Sequence, residues 1–183
     1  MSMKVSWKLL SSLRKVRAKG FQFAPLRIIF DVRVDLRRNS RLVIRGHVVD
    51  SSGHKVYTST IKYVSASILM TTAAANNLYV MTGYIGNAYL NANAKENIYT
   101  CAGTEFEVVG IMAEGTFPEV IKALYGLLTS MNMWHAHLSH TLREMGLKPT
   151  CFDPDVWIRG NKRICDYIGT YNDDVLVVAV EKS

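Results

Sequence analysis

Two adjacent carboxylates, Asp173 and Asp174, are the residues whose type and spacing point most directly to chemistry. They follow Asn172 and lie between two runs of strand-forming residues, Tyr167 to Tyr171 and Val175 to Val180. β-Branched and aromatic residues favour a pleated backbone, and Asn tolerates positive φ. The stretch therefore predicts a tight hairpin with both carboxylates at its tip. Anions between apolar strands need a cation or solvent to compensate them. Oxygen ligands on a rigid tip suit Mg²⁺, which takes one or two carboxylates together with substrate phosphates. On composition alone, a solvated Asp-Asp turn is the stronger reading.

Two further stretches shift that balance. One is Tyr84-Ile85-Gly86-Asn87-Ala88-Tyr89-Leu90-Asn91-Ala92, and the other is Lys122-Ala123-Leu124-Tyr125-Gly126-Leu127. With Tyr171-Asn172-Asp173-Asp174 they resemble, in order, three motifs of the copia-type retrotransposon reverse transcriptases: Asp-Ile/Val-x-x-Ala-Phe/Tyr-Leu-Asn-Gly/Ala, Lys-Ala-Leu-Tyr-Gly-Leu and Tyr-x-Asp-Asp. The resemblance runs from about Phe30 to Val180, most of the chain.

The resemblance implies an α+β fold: a palm-like antiparallel sheet with helices on one face and a projecting fingers β-hairpin. It implies RNA-directed DNA polymerisation, in which a primer 3′-hydroxyl attacks the α-phosphate of a deoxynucleotide with two Mg²⁺ (or Mn²⁺) ions at the attacking and leaving oxygens. RNA or DNA template-primer and dNTP are the implied partners. Asp173 and Asp174 would hold metal. Asn87 and Ala88 would turn backbone toward the triphosphate, and Tyr89 would exclude a 2′-hydroxyl; a core aromatic in a β-rich turn is the competing reading of Tyr89. The family's fingers core, Lys-Ala-Arg-Leu-Val, is here Asn39-Ser40-Arg41-Leu42-Val43. Arg41 is the triphosphate candidate, with Arg38 as a substitute for the lost lysine, because guanidinium matches phosphate. Exposed arginines on a hairpin also deter edge pairing without binding anything.

Two departures bear on activity. The family motif opens with an aspartate where this chain has Tyr84, and a neutral phenol does not replace a carboxylate ligand near pH 7. The family's Lys-Gln-Ala/Ser-Pro-Arg after Tyr-Gly-Leu is replaced by Leu128-Thr129-Ser130-Met131-Asn132. A thumb and a ribonuclease H region are expected to be absent, so the reading is a fingers-palm segment truncated before the thumb. Metal binding is expected to be impaired and the copy degenerate, of low activity or inactive, which leaves its standing as an enzyme open. The alternative is a non-catalytic nucleic-acid-binding remnant of a retroelement polyprotein.

The 183 residues suffice for a cored domain, and 49% hydrophobic composition argues against general disorder. A net charge of +7 favours polyanionic partners. No apolar run is long enough to span a membrane. Three scattered cysteines, Cys101, Cys151 and Cys165, form neither a disulfide framework nor a zinc pattern, which points to an intracellular, reducing compartment. Residues 1–25 form a basic segment outside the resemblance, with Val5, Leu9, Leu10 and Leu13 on one helical face. A solvated helix, a phosphate-binding arm and a mitochondrial-type presequence compete there, the first two being preferred. Residues 26–183 form the family region. Strands are predicted over Leu26–Val34, Arg41–Val49 and Leu78–Ile85, with Asp35–Ser40 a polar turn and a short strand within Lys95–Ala102. Helices are predicted over Ser65–Asn77 with Ser65 as N-cap, from Pro118 to Leu127, and over Met131–Met145 with Gly146 as the stop. His135, His137 and His140 are read as a solvated face.

Overall fold

The computed structural model describes residues 7–10, 20–32, 34, 36, 38–108, 110–160 and 165–180. The fold is mixed α+β. In chain order the elements are β1 (Trp7–Leu9), β2 (Gln22–Phe23), β3 (Leu26–Val32), β4 (Arg38–Ile44), α1 (Tyr63–Asn76), β5 (Tyr79–Tyr84) and α2 (Ala88–Asn91). They continue with β6 (Ile98–Tyr99), α3 (Thr104–Val108), β7 (Pro118–Val120), α4 (Ser130–Glu144), β8 (Lys148–Pro149), β9 (Val156–Gly160), β10 (Cys165–Tyr171) and β11 (Asp174–Ala179). The chain divides into two units, Met1–Val56 with Tyr89–Trp134 and Tyr57–Ala88 with His135–Ser183.

In the first unit β3 and β4 form an antiparallel hairpin, and β1, β7, β6 and β2 form a small mixed sheet. Its core gathers Leu42 and Ile44 of β4 with Ile98, Phe106, Val120, Leu124 and Leu127. Strand β4 starts at Arg38, three residues earlier than expected, because Arg38, Asn39 and Ser40 pair with Val32, Asp31 and Phe30. Of the expected polar turn, positions 35 and 37 lie outside the described residues. Strand β4 ends at Ile44, before a 3₁₀ turn at Gly46–Val48. Gly46 and the backbone of Gly126 approach so closely that a Cβ on either glycine would overlap the other segment's backbone. This seats Lys122–Leu127 against the base of the hairpin, with Ile44 N–H donating to the Tyr125 carbonyl at 2.8 Å.

The helix expected from Pro118 to Leu127 is absent. Pro118–Val120 is strand, pairing with β1 and β6. Beyond it, the Ile121 carbonyl accepts from Ala94 N–H and Ala123 N–H donates to the Ala92 carbonyl. Backbone groups engaged across the fold cannot also close helical i→i−4 bonds, so tertiary pairing overrides local propensity. Similarly, Trp7–Leu9 is a strand on β7 and not part of a helix; Val5 and Leu13 of the expected helical face lie outside the described residues.

The second unit is built on an antiparallel sheet ordered β5-β11-β10-β9-β8. Helix α1 covers one face: Leu69 and Ala73 pack against Val156 and Val178, with Tyr167 and Leu176 beside them. Gly169 permits the close approach, since a Cβ there would lie 2.5 Å from Ile61 Cδ1. Side chains alternate along a strand, so Asp155 and Trp157 flank Val156 on the opposite face. Both meet α4, Asp155 through His135 and Trp157 under the Arg143 guanidinium, 5.2 Å from its ring centroid. Helices thus cover both faces, correcting the expectation of one. The reason is visible in β9, where Val156 and Trp157 are both buried; a sheet apolar on both sides needs two covers.

Helix α4 matches its expected span, and Gly146 (φ 82°) ends it while Leu147 N–H donates to the Leu142 carbonyl at 3.0 Å. Helix α1 starts two residues before the expected Ser65. Its N-cap position, Lys62, supplies no side-chain cap. Asp153, 91 residues away and 2% exposed, does so instead: its Oδ2 accepts from Lys62 N–H at 2.9 Å. Burial acts to raise the Asp153 carboxyl pKa. Hydrogen bonds from the Ser65 side chain, Lys62 N–H and Asp155 N–H, with the Lys62 charge, outweigh it and hold the group below the ordinary 3.8.

A depressed folded-state pKa stabilises the fold above the unfolded value, and that contribution is lost as pH falls through the folded pKa. Asp153→Ala should therefore lower stability at neutral pH by about 2 kcal/mol, with the gap to the parent narrowing below about pH 4; thermal melts across pH check this. Gly126→Ala, at φ 98° against the Ile44 carbonyl, should cost about 3 kcal/mol or more. Gly53→Ala, at φ 80° in open space, should cost about 1 kcal/mol in the same denaturant titrations.

Candidate functional site

The acidic pair sits where the sequence places it. Tyr171 pairs with Asp174, leaving Asn172 and Asp173 as a two-residue turn between β10 and β11. Asn172 takes φ 53°, the left-handed conformation that closes such a turn. The Asp173 carbonyl accepts from Ile85 N–H at 2.7 Å, which ties the tip to the end of β5. Asp174, exposed, opens β11 and stands opposite Tyr171 on one side and Tyr84 on the other.

Directly opposed residues of neighbouring antiparallel strands share a face, with Cβ atoms about 4.5–5.5 Å apart. Tyr171, Asp174 and Tyr84 therefore form one row across three strands, on the face that α1 covers. Beyond the start of α1 that face is open. Tyr84 is 60% and Tyr171 53% exposed, and with Asp174 they line a pocket of about 330 Å³.

The remaining candidates are divided between the units. In the second, Asn87 is exposed with φ 54° and turns the chain from β5 toward α2, while Ala88 is buried at 1%. In the first, the Tyr89 ring packs on Tyr125 with centroids 4.8 Å apart, so the motif that contains Tyr89 meets Lys122–Leu127 through this contact. Arg41 is exposed opposite Ile29, and Arg38 is exposed opposite Val32. Three positions apart in a strand, they point to opposite faces: Arg38 shares the face of buried Leu42 and Ile44, and Arg41 does not.

Among the described residues, no group of three or more His, Cys, Asp or Glu side chains could hold a metal ion. Asp173 and Asp174 are two oxygen donors of the right chemistry for Mg²⁺. A third carboxylate is missing, and the position opposite Asp174 carries the Tyr84 phenol.

The model of the family described as reverse transcriptase (RNA-dependent DNA polymerase) matches residues 4–183. The chain belongs to the reverse transcriptase family. It is 25% identical over 172 residues, 90% of its length, to the retrovirus-related Pol polyprotein from transposon TNT 1-94 of Nicotiana tabacum. It spans 13% of that relative. Together these matches support the copia-type reading of the motifs. The family match begins inside the basic N-terminal segment, at Lys4. Among the described residues, no helix is long and apolar enough to cross a membrane.

One polar pair in this reverse transcriptase segment escaped sequence reasoning. His135, expected on a solvated face, is half-buried, and its Nε2–H donates to Asp155 Oδ1 at 2.6 Å. Asp155 is fully buried, and its carbonyl accepts both the backbone N–H (2.9 Å) and the hydroxyl (3.3 Å) of Thr170, next to Tyr171 on β10. His140, by contrast, is exposed and pairs with Glu144 of its own helix at 3.3 Å. The available signal was Asp153-Pro154-Asp155 ahead of two apolar residues, since acidic residues that enter a buried strand need partners.

Truncating one partner of a buried pair strands the other. His135→Ala should lower stability by about 3 kcal/mol, whereas His135→Gln, which keeps a donor, should cost less than half of that in urea unfolding.

Proposed function

We propose that this segment derives from an RNA-directed DNA polymerase domain and that this copy has lost nucleotidyl transfer, wholly or nearly so. The observation that carries the reading is the register of β5 on β11, which sets Tyr84 directly opposite Asp174. That register supports reading position 84 as the place of a third carboxylate, where this chain holds a phenol. Asp173 and Asp174 would hold a divalent cation, which when bound stabilises charge on attacking and leaving phosphate oxygens. The donor set falls one carboxylate short of the family's, so no transfer step is assigned to this copy.

The second-unit sheet with the Asp173–Asp174 hairpin corresponds in this reading to the palm, and the β3–β4 hairpin to the fingers. Of the two arginines, Arg41 is the better triphosphate ligand, because it projects from the face of β4 not used for core packing. Arg38 lies on the other face, which weakens it as the stand-in for the lysine replaced by Asn39. Tyr89 would bear on the nucleotide sugar, with Tyr125 fixing its ring. Asn87 and Ala88 supply the backbone turn that would approach a triphosphate. Template-primer and dNTP are the substrates this reading implies, and the net charge of +7 suits both.

Primer extension on an RNA template, with Mg²⁺ and with Mn²⁺, tests this. The parent chain should extend little or not at all, and Tyr84→Asp should raise the rate by roughly three powers of ten if the missing ligand is worth ~4 kcal/mol. Adding Asp173→Ala to the Tyr84→Asp variant should silence it. Extension by the parent that Asp173→Ala abolishes would show the third carboxylate to be dispensable and overturn the proposal.

A further inference from the structure

The replacement at position 84 also creates something. We propose that the row Tyr84–Asp174–Tyr171 binds a methylated ammonium group of the kind carried by choline. The inference does not rest on polymerase activity.

The geometry follows from strand pairing. Tyr171 is opposite Asp174, and Asp174 is opposite Tyr84, so an aromatic, a carboxylate and an aromatic stand side by side on β10, β11 and β5. Neighbouring strands lie about 4.8 Å apart. The two tyrosines are therefore rooted about 10 Å apart, with the carboxylate midway between them. A cation seated over Asp174 stands about 5 Å from the strand position of each tyrosine, and a ring quadrupole attracts cations over roughly 6 Å.

The pocket lined by these three residues has a volume of about 330 Å³, and Ile61, Ala66 and Leu176 add apolar lining. That volume lies at the lower end of small-molecule sites. Gly169 belongs to the same design, because its missing side chain lets Ile61 lie against the sheet. The rings and the single carboxylate attract positive charge, while the rest of the lining is mainly apolar, with one hydroxyl from Thr82. A methylated ammonium carries its charge on a weakly hydrated apolar surface and meets both conditions. Mg²⁺ asks for an octahedral set of oxygen ligands and would compete through Asp174, with the Thr82 hydroxyl the other aliphatic oxygen of the lining.

Titration of the full chain with choline, followed by amide NMR shifts at positions 84, 171 and 174, tests the site at constant ionic strength. The neutral isostere 3,3-dimethylbutan-1-ol serves as the control. Choline should saturate with a dissociation constant on the order of millimolar, and the isostere should bind about tenfold more weakly. Tyr84→Leu and Asp174→Asn should each weaken choline about tenfold. Tyr84→Phe should stay within about twofold of the parent, since the ring face and not the hydroxyl attracts the cation. Absence of saturable shifts, equal binding of choline and its isostere, or equal losses in Tyr84→Phe and Tyr84→Leu would overturn the proposal.

Discussion

Asp153 and Asp155 occupy the short loop that leads into β9, and the second unit is fastened together there. The Asp153 carboxylate takes Lys62 N–H at the start of α1, on one face of the sheet. The Asp155 carboxylate takes His135 of α4, on the other. The Asp155 carbonyl takes Thr170, two residues before the acidic turn. Two nearly or fully buried carboxyl groups are costly unless each finds hydrogen-bond partners. Asp153 meets that condition, and Asp155 meets it at Oδ1 while its buried Oδ2 has no hydrogen-bond partner among the described residues; these contacts fix where both helices sit relative to β9 and β10. The hairpin carrying Asp173 and Asp174 inherits its position from this loop.

The first unit is held by a different device. Its hairpin base and the Lys122–Leu127 segment meet backbone to backbone at Gly46 and Gly126, leaving no room for a side chain on either. Ala123, Leu124 and Leu127 are buried around that contact. The motif that reads as a family signature is, in physical terms, a clasp on β4, and the ring of Tyr125 extends it to Tyr89.

What the sequence made legible was local. The hairpin around Asn172, the span of α4 and its stop at Gly146 all follow from turn chemistry and periodicity expressed within a few residues. The readings that failed depended on distant partners. Val120, Ala123, Leu124 and Leu127 have helical spacing, yet Val120 pairs with Trp7, Ala123 N–H donates to the Ala92 carbonyl, and the intervening Tyr125 carbonyl accepts from Ile44 N–H. Ser65 looked like the cap of α1 because the true cap lies 91 residues downstream. His135 looked solvated because Asp155 lies in another element. For the candidate site, the identities of Asp173, Asp174 and Tyr84 were readable from motif order. The register that makes Tyr84 and Asp174 neighbours was not, because strand pairing is a relation between separate segments.

Gly169 gives that register a further meaning. Ile61 occupies the space where a side chain would stand on β10, and Gly169 pairs with Leu176 on β11 and Val156 on β9. A slip of one residue would present a bulkier neighbour to Ile61 and turn every side chain of the strand to the other face. Gly169 therefore acts with the Asn172 turn as an index mark for the alignment of the strands. The carboxylate that faces α1 follows from that alignment, so a bare position four residues before Asp173 bears on which side of the sheet the tip presents its charge.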